Sequence, residues 1–167
     1  MSRANQAGSQ LSGSGAAAQD GTTRALQSAL AAEQEAVYGY GVVGAYLSGA
    51  GQSTADADWL AHQNASNTIQ ALLRQRGTRP SAAAVAYELP IPVQTPAQAV
   101  SLAVIIEDRI ASTYLGLVAL DSPAIRKFGA LQVQASALRA AAWRGSTVAF
   151  PGLPTAAAAP RRGGHSS

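Results

Sequence analysis

Cysteine is absent from the 167 residues. That excludes disulfides, thiolate nucleophiles and Cys-ligated metals, and it fits a reducing compartment. Aromatic residues make up 5% of the chain and charged residues 13%, and histidine occurs twice, at His62 and His165. Long apolar runs are missing as well. The longest, near 36–47 and 99–106, fall short of the roughly 20 residues that cross a bilayer. The N-terminal residues lack the apolar stretch of a secretory signal. A cytoplasmic protein with no membrane partner is the expectation. Eleven Arg and one Lys face nine acids, for a net charge of +3, but the cations are scattered and no basic stripe with interleaved aromatics forms. No nucleic-acid partner is therefore expected.

What is present is alanine, glycine and a helical pattern. Residues 1–21 and 154–167 are rich in Ser, Gly, Ala and Gln or Pro with almost no bulky apolar residue, so they read as disordered tails around a domain at 22–153. Within the domain four helices are predicted, giving an all-α fold. The first spans about 23–47 on a seam of Leu26, Leu30, Glu33, Val37, Tyr40, Gly44 and Leu47, spaced alternately by 4 and 3. The second spans 54–76, with Ser53 and Asp56 as a capping box and a seam of Trp59, His62, Ser66, Ile69 and Leu73. Residues 77–94 hold three prolines and no period; this stretch is long enough to cross over the bundle and set the third helix parallel to the second. The third helix opens at Thr95-Pro96 with Gln98 completing a capping box, and its seam is Val100, Ala103, Glu107, Ile110, Tyr114 and Leu117. After Asp121 and Ser122, Pro123 opens a fourth helix with a seam of Phe128, Leu131, Ala135, Leu138 and Ala142, none of them ionisable. The apolar Val148, Phe150 and Leu153 that follow are expected to pack back on the bundle.

Up, down, a long crossover, then down and up is the ferritin-like four-helix arrangement. Glu33, His62 and Glu107 each fall near the middle of an apolar stripe, so the three are expected to meet at one level. Two carboxylates and an imidazole suit iron, manganese or zinc. A complete di-iron centre needs a Glu from each of two helices and Glu-x-x-His from each of the other two. Here Trp59 stands three residues before His62, and residues 124–145 contain neither Glu nor His. Asp58 points away from a clean ligand position, and Gln132 and Gln134 are poor substitutes. The expected state is a metal-free, hydrogen-bonded polar core. Iron or manganese held by Glu33, His62 and Glu107 is the alternative.

The stretches ALAAEQEAVYGYGVVGAYL, IIEDRIASTYLGLV and AAAWRGSTVAFPGLP resemble a bacterial family of ferritin-like domains with no assigned function, over about 25–153. The resemblance implies the bundle and no established activity. In that family the acid of the first helix is often followed by His; here the position is Gln34. A second apolar stripe, Tyr38, Val42 and Tyr46, suggests a homodimer through the first two helices, or contacts within the bundle. Taken together, the sequence implies a non-catalytic binding or structural module with an incomplete di-metal site. A redox or iron-handling protein using Glu33, His62 and Glu107 is the alternative. Circular dichroism is expected to be dominated by helix, and limited proteolysis to trim 1–21 and 154–167 before 22–153; a substantial sheet signal would contradict the seams.

Overall fold

The computed structural model describes the backbone of residues 3–145 and the side chains of 19–145. Four helices carry the chain: α1 (Arg3–Ala45), α2 (Gly49–Gln75), α3 (Pro96–Val118) and α4 (Pro123–Arg144). There is no strand among the described residues, and no helix there is long and apolar enough to cross a membrane. The expected tail at 154–167 and the return of 148–153 onto the bundle lie outside the described residues.

Helix α1 starts at Arg3, inside the stretch that composition assigns to a tail. That stretch contains no proline, and its alanines and glutamines are good helix formers. The seam of α1 is largely as predicted: Leu26, Leu30, Glu33 and Tyr40 are buried, and Val37 and Leu47 are half-buried. The second buried stripe is Ala29, Ala36 and Val43 rather than Tyr38, Val42 and Tyr46. Small residues there let α3 approach. Tyr38 instead meets Tyr87 of the 76–95 connection, ring centroids 5.7 Å apart, and Tyr46 is exposed.

Helix α2 begins earlier than predicted, at Gly49 behind Ser48. The expected capping box is not formed, because Ser53 already lies in the second turn, where its hydroxyl donates to the Gly49 carbonyl at 3.2 Å. Gly77, at φ +69°, ends the helical hydrogen bonding as a left-handed residue. The 76–95 connection lies against α1: Gln27 donates to the Arg79 carbonyl and Gln34 to the Ser81 carbonyl. Val93 of this segment reaches the core. The α3 start is built as expected. Thr95 accepts from the Gln98 amide, and the Gln98 side chain accepts from the amide of Gln94.

Helix α4 departs most from the sequence reading. Its buried residues are Ile125, Gly129, Ser136 and Ala140, while Leu131 and Leu138 are 53% and 64% exposed. The helix is turned so that small residues face α3. A Cβ on Gly129 would lie 2.9 Å from Leu117 Cβ and 3.2 Å from the Tyr114 carbonyl oxygen, so this glycine fixes the closest approach of the pair. Among the described residues the most extensive helix contacts are α1 with α2, α1 with α3, and α3 with α4. Gly129→Ala is expected to destabilise the fold by about 1–3 kcal/mol, because backbone stands in the way. Gly41→Ala, where an added Cβ meets nothing within 4 Å, should instead stabilise it by up to about 1 kcal/mol. Chemical denaturation of the two variants checks both signs.

Candidate functional site

The three seam residues do meet. Glu33, His62 and Glu107 are completely buried. His62 Nδ1 lies 2.7 Å from Glu33 Oε2, and Nε2 lies 3.0 Å from Glu107 Oε1. One imidazole thus bridges two carboxylates from its two edges. The three groups point at one another and do not converge on a common centre that would hold a metal ion. Both ring nitrogens face acceptors, so the ring serves both only as imidazolium, with a proton on each nitrogen. Burial alone would push its pKa down, but the hydrogen bonds and charges of Glu107 and Glu33 outweigh that and hold it up at about 9.

The seams also supply two phenols. Tyr114 donates to Glu33 Oε1 at 2.5 Å, and Tyr40 donates to Glu107 Oε1 at 2.7 Å. Burial, reinforced by the neighbouring carboxylates, raises both phenol pKa values and keeps the protons on oxygen. Tyr40 also stacks on His62 with centroids 5.1 Å apart. These tyrosines were legible as core positions, but the sequence did not show that their hydroxyls would be needed by buried acids.

Helix α4, whose expected seam held no ionisable residue, supplies a cation and a donor. Arg139 Nε sits 2.8 Å from Glu107 Oε1. Trp143 Nε1 donates to Asp58 Oδ2 at 2.8 Å, with Tyr40 oxygen at 3.1 Å. Asp58 is therefore buried, and it pairs with Trp143 and Tyr40 and not with His62. Its burial raises its pKa, against the Trp143 hydrogen bond. Arg139 and Trp143 are four apart on one helical face, and Asp58 and His62 are four apart on another. That spacing was the available signal for both pairs. Glu107 carries a lopsided load. Oε1 accepts from Tyr40, His62 and Arg139, whereas Oε2 is buried with no hydrogen-bond partner. Burial would raise the Glu107 pKa, but His62 and then Arg139 hold it below the usual carboxylate range.

Chemically, the cluster is a balanced set of charges. Glu33 and Glu107 face one imidazolium and one guanidinium, with Asp58 at the rim. It fits a metal ion poorly. His62 would have to give up a proton held at about 9 and release a carboxylate. The guanidinium on Glu107 would have to withdraw before a second cation could approach. Helix α4 brings no carboxylate or imidazole in compensation.

The profile described as "Domain of unknown function (DUF4439)" matches residues 25–155. A crystal structure of a conserved hypothetical protein from Mycobacterium tuberculosis is similar, with a TM-score of 0.73 and 28% identity, over 75% of this chain and 96% of that one. No curated protein matches the chain. The expected membership of a family without assigned function is thereby met in its coarser part, and the match spans every residue of the cluster.

The raised His62 pKa fixes the sign of a pH effect. An imidazole at 6.5 unfolded and about 9 folded contributes stability that is fully present below pH 6.5 and lost as pH rises through 9. The gap corresponds to roughly 3 kcal/mol. Glu107, with its pKa lowered, contributes in the other direction: its share is present above the ordinary carboxylate range and is lost on acidification. Asp58, raised, opposes it there. Thermal melts at pH 6.5 and 9.5 should show a clear drop for the natural chain and a lower, flatter profile for His62→Gln.

Proposed function

The chain belongs to the DUF4439 family, and from that premise we propose that it is a ferritin-like bundle serving as a non-catalytic structural or binding module, its core stabilised by ion pairs in place of a di-metal centre. The observation that carries this reading is the His62 bridge together with Arg139 on Glu107. The donors that a metal would need are committed to protons and to a tethered cation.

The ferritin-like topology is supported by which residues meet. Tyr40 reaches Asp58 and Glu107, whereas Glu33, two turns earlier in α1, reaches His62 and Tyr114. In both α2 and α3 the earlier residue meets the later residue of α1, so both run antiparallel to α1 and parallel to each other. The 76–95 connection against α1 is the crossover such an order requires. A homodimer through α1 and α2 remains part of the proposal. Its support is that α1 and α2 each expose a large apolar residue, Tyr46 and Leu60. The cytoplasm is the proposed location, on the absence of cysteine.

One observation favours the second reading, iron or manganese at Glu33, His62 and Glu107. It is the buried Glu107 Oε2 without a partner, an oxygen with a free lone pair inside the cluster. Elemental analysis of tag-free protein combined with Glu107→Gln separates the readings. Under the ion-pair reading, no stoichiometric transition metal is recovered, and Glu107→Gln lowers stability by about 3–5 kcal/mol equally with and without added metal, because His62 and Arg139 lose their partner. One tightly held iron or manganese per chain, lost in this variant, would make the metal reading the leading one.

A further inference from the structure

Helix α1 carries a glycine that its packing does not require. A Cβ on Gly41 would meet nothing within 4 Å, and Gly41 does not adopt the positive φ that favours glycine. Gly44, on the same side, would make only ordinary contact, 3.6 Å from Asp56 Oδ1. Glycine within a helix lowers stability relative to alanine. A local rule broken without a packing reason points to function. The space left open is a cleft of about 350 Å³ between α1 and α2, within the range of ligand sites. From α1 it is lined by Gly41 and Gly44, with buried Tyr40 behind them, and from α2 by Gln52, Asp56 and Trp59.

Gln52, Asp56 and Trp59 follow one another at four and three residues and so share one face of α2. None of these three side chains has a hydrogen-bond or ion-pair partner among the described residues. Tyr40 touches both the cleft and the core cluster, but its hydroxyl is committed to Glu107 and Asp58.

We propose that this cleft binds the head of an organic cation, a guanidinium or an alkylammonium group. Asp56 is the only charged side chain that lines it and supplies the counter-charge. The half-buried Trp59 offers the aromatic surface on which such a cation rests, and the Gln52 carboxamide oxygen accepts a further N–H. The missing side chains of Gly41 and Gly44 leave room for the cation's apolar stem. An anion would find no cationic partner in this lining. A bare metal ion would meet a single carboxylate, and the described residues hold no group of acids and histidines able to bind one. The inference gives the binding-module reading a ligand class, but it stands on residues outside the ion-paired core, so metal analysis of that core and a cation titration fail separately.

Proton–nitrogen correlation spectra of the full-length chain test it, because the two tryptophans give two indole N–H signals. Acetyl-arginine methylamide is expected to move the Trp59 indole and Gln52 carboxamide signals saturably, with a midpoint at about 0.1–3 mM, and to leave the Trp143 indole in place. Acetyl-citrulline methylamide, of the same shape without the charge, should move neither. Butylguanidinium and butylammonium separate the sources of the cation. Tighter binding of these than of the blocked arginine assigns the site to a small molecule, and the reverse assigns it to a side chain of a partner protein; both outcomes support the proposal. Asp56→Asn should weaken binding by about fivefold or more. Gly41→Leu should fill the cleft and abolish the shifts, while the melting temperature holds or rises by about 2–4 °C, leucine being the better helix former. The absence of a saturable shift with all three cations at about 20 mM overturns the proposal. So does an equal response to the citrulline analogue, or undiminished binding in Asp56→Asn or Gly41→Leu.

Discussion

An imidazolium held between two buried glutamates sets the terms for the rest of this molecule. Taking Glu33 and Glu107 out of water carries a desolvation penalty of several kcal/mol per ion, which only close, well-aligned partners offset. His62 meets both from opposite edges, at 2.7 and 3.0 Å. Each glutamate then accepts a phenol hydrogen bond from the other's helix, Tyr40 of α1 donating to Glu107 and Tyr114 of α3 donating to Glu33. The result is a closed exchange among α1, α2 and α3. If any one of these helices slid by a turn, at least one carboxylate would lose its donors. A leucine core carries no such donor–acceptor matching, so the cluster ties the register of the three helices together.

The fourth helix is attached by different means. Gly129, Ser136 and Ala140 bring its backbone close to α3, and that closeness lets Arg139 reach Glu107 and Trp143 reach Asp58. Arg144 adds a more exposed pair with Asp108 at 2.6 Å. The described links from α4 to α2 are those of Trp143 and, at 4.0 Å, Arg139 to Asp58, and the rotation that turns small residues toward α3 leaves Leu131 and Leu138 exposed.

How much of this was legible depended on side-chain size. In α1, α2 and α3 most large apolar residues are buried, so the 3–4 spacing of Leu26, Leu30, Ile69, Leu73, Ile110 and Leu117 located the inward stripe, and Glu33, His62 and Glu107 with it. In α4 the rule inverts. The close contact is made by glycine, serine and alanine, which pattern reading weights weakly, while Leu131 and Leu138 draw the stripe to the wrong face. Arg139 and Trp143 were lost with that error. The capping box at Ser53 failed for a local reason: Ser48 and the permissive Gly49 offered an earlier start, and a serine in a helix interior back-bonds to the preceding turn. The glycines of α1 were visible, but their separate causes were not. Gly39 lies under Ile106, and Gly41 faces open space.

Charge accounting links the cluster to the bundle type proposed for it. Two glutamates in a helical core need about two positive charges, and a divalent ion is one way to supply them. Here His62 supplies one through a proton and Arg139 the other through a guanidinium that stays charged at any accessible pH. The two solutions differ mechanically. A metal ion can leave and takes its charge with it. Arg139 is part of α4, so the attraction that neutralises Glu107 also helps hold α4 on the bundle, beside the packing of Ile125, Phe128 and Gly129. The arrangement favours permanence over exchange. The one oxygen left without a donor, Glu107 Oε2, follows from the same geometry, because Tyr40, His62 and Arg139 all approach from the Oε1 side.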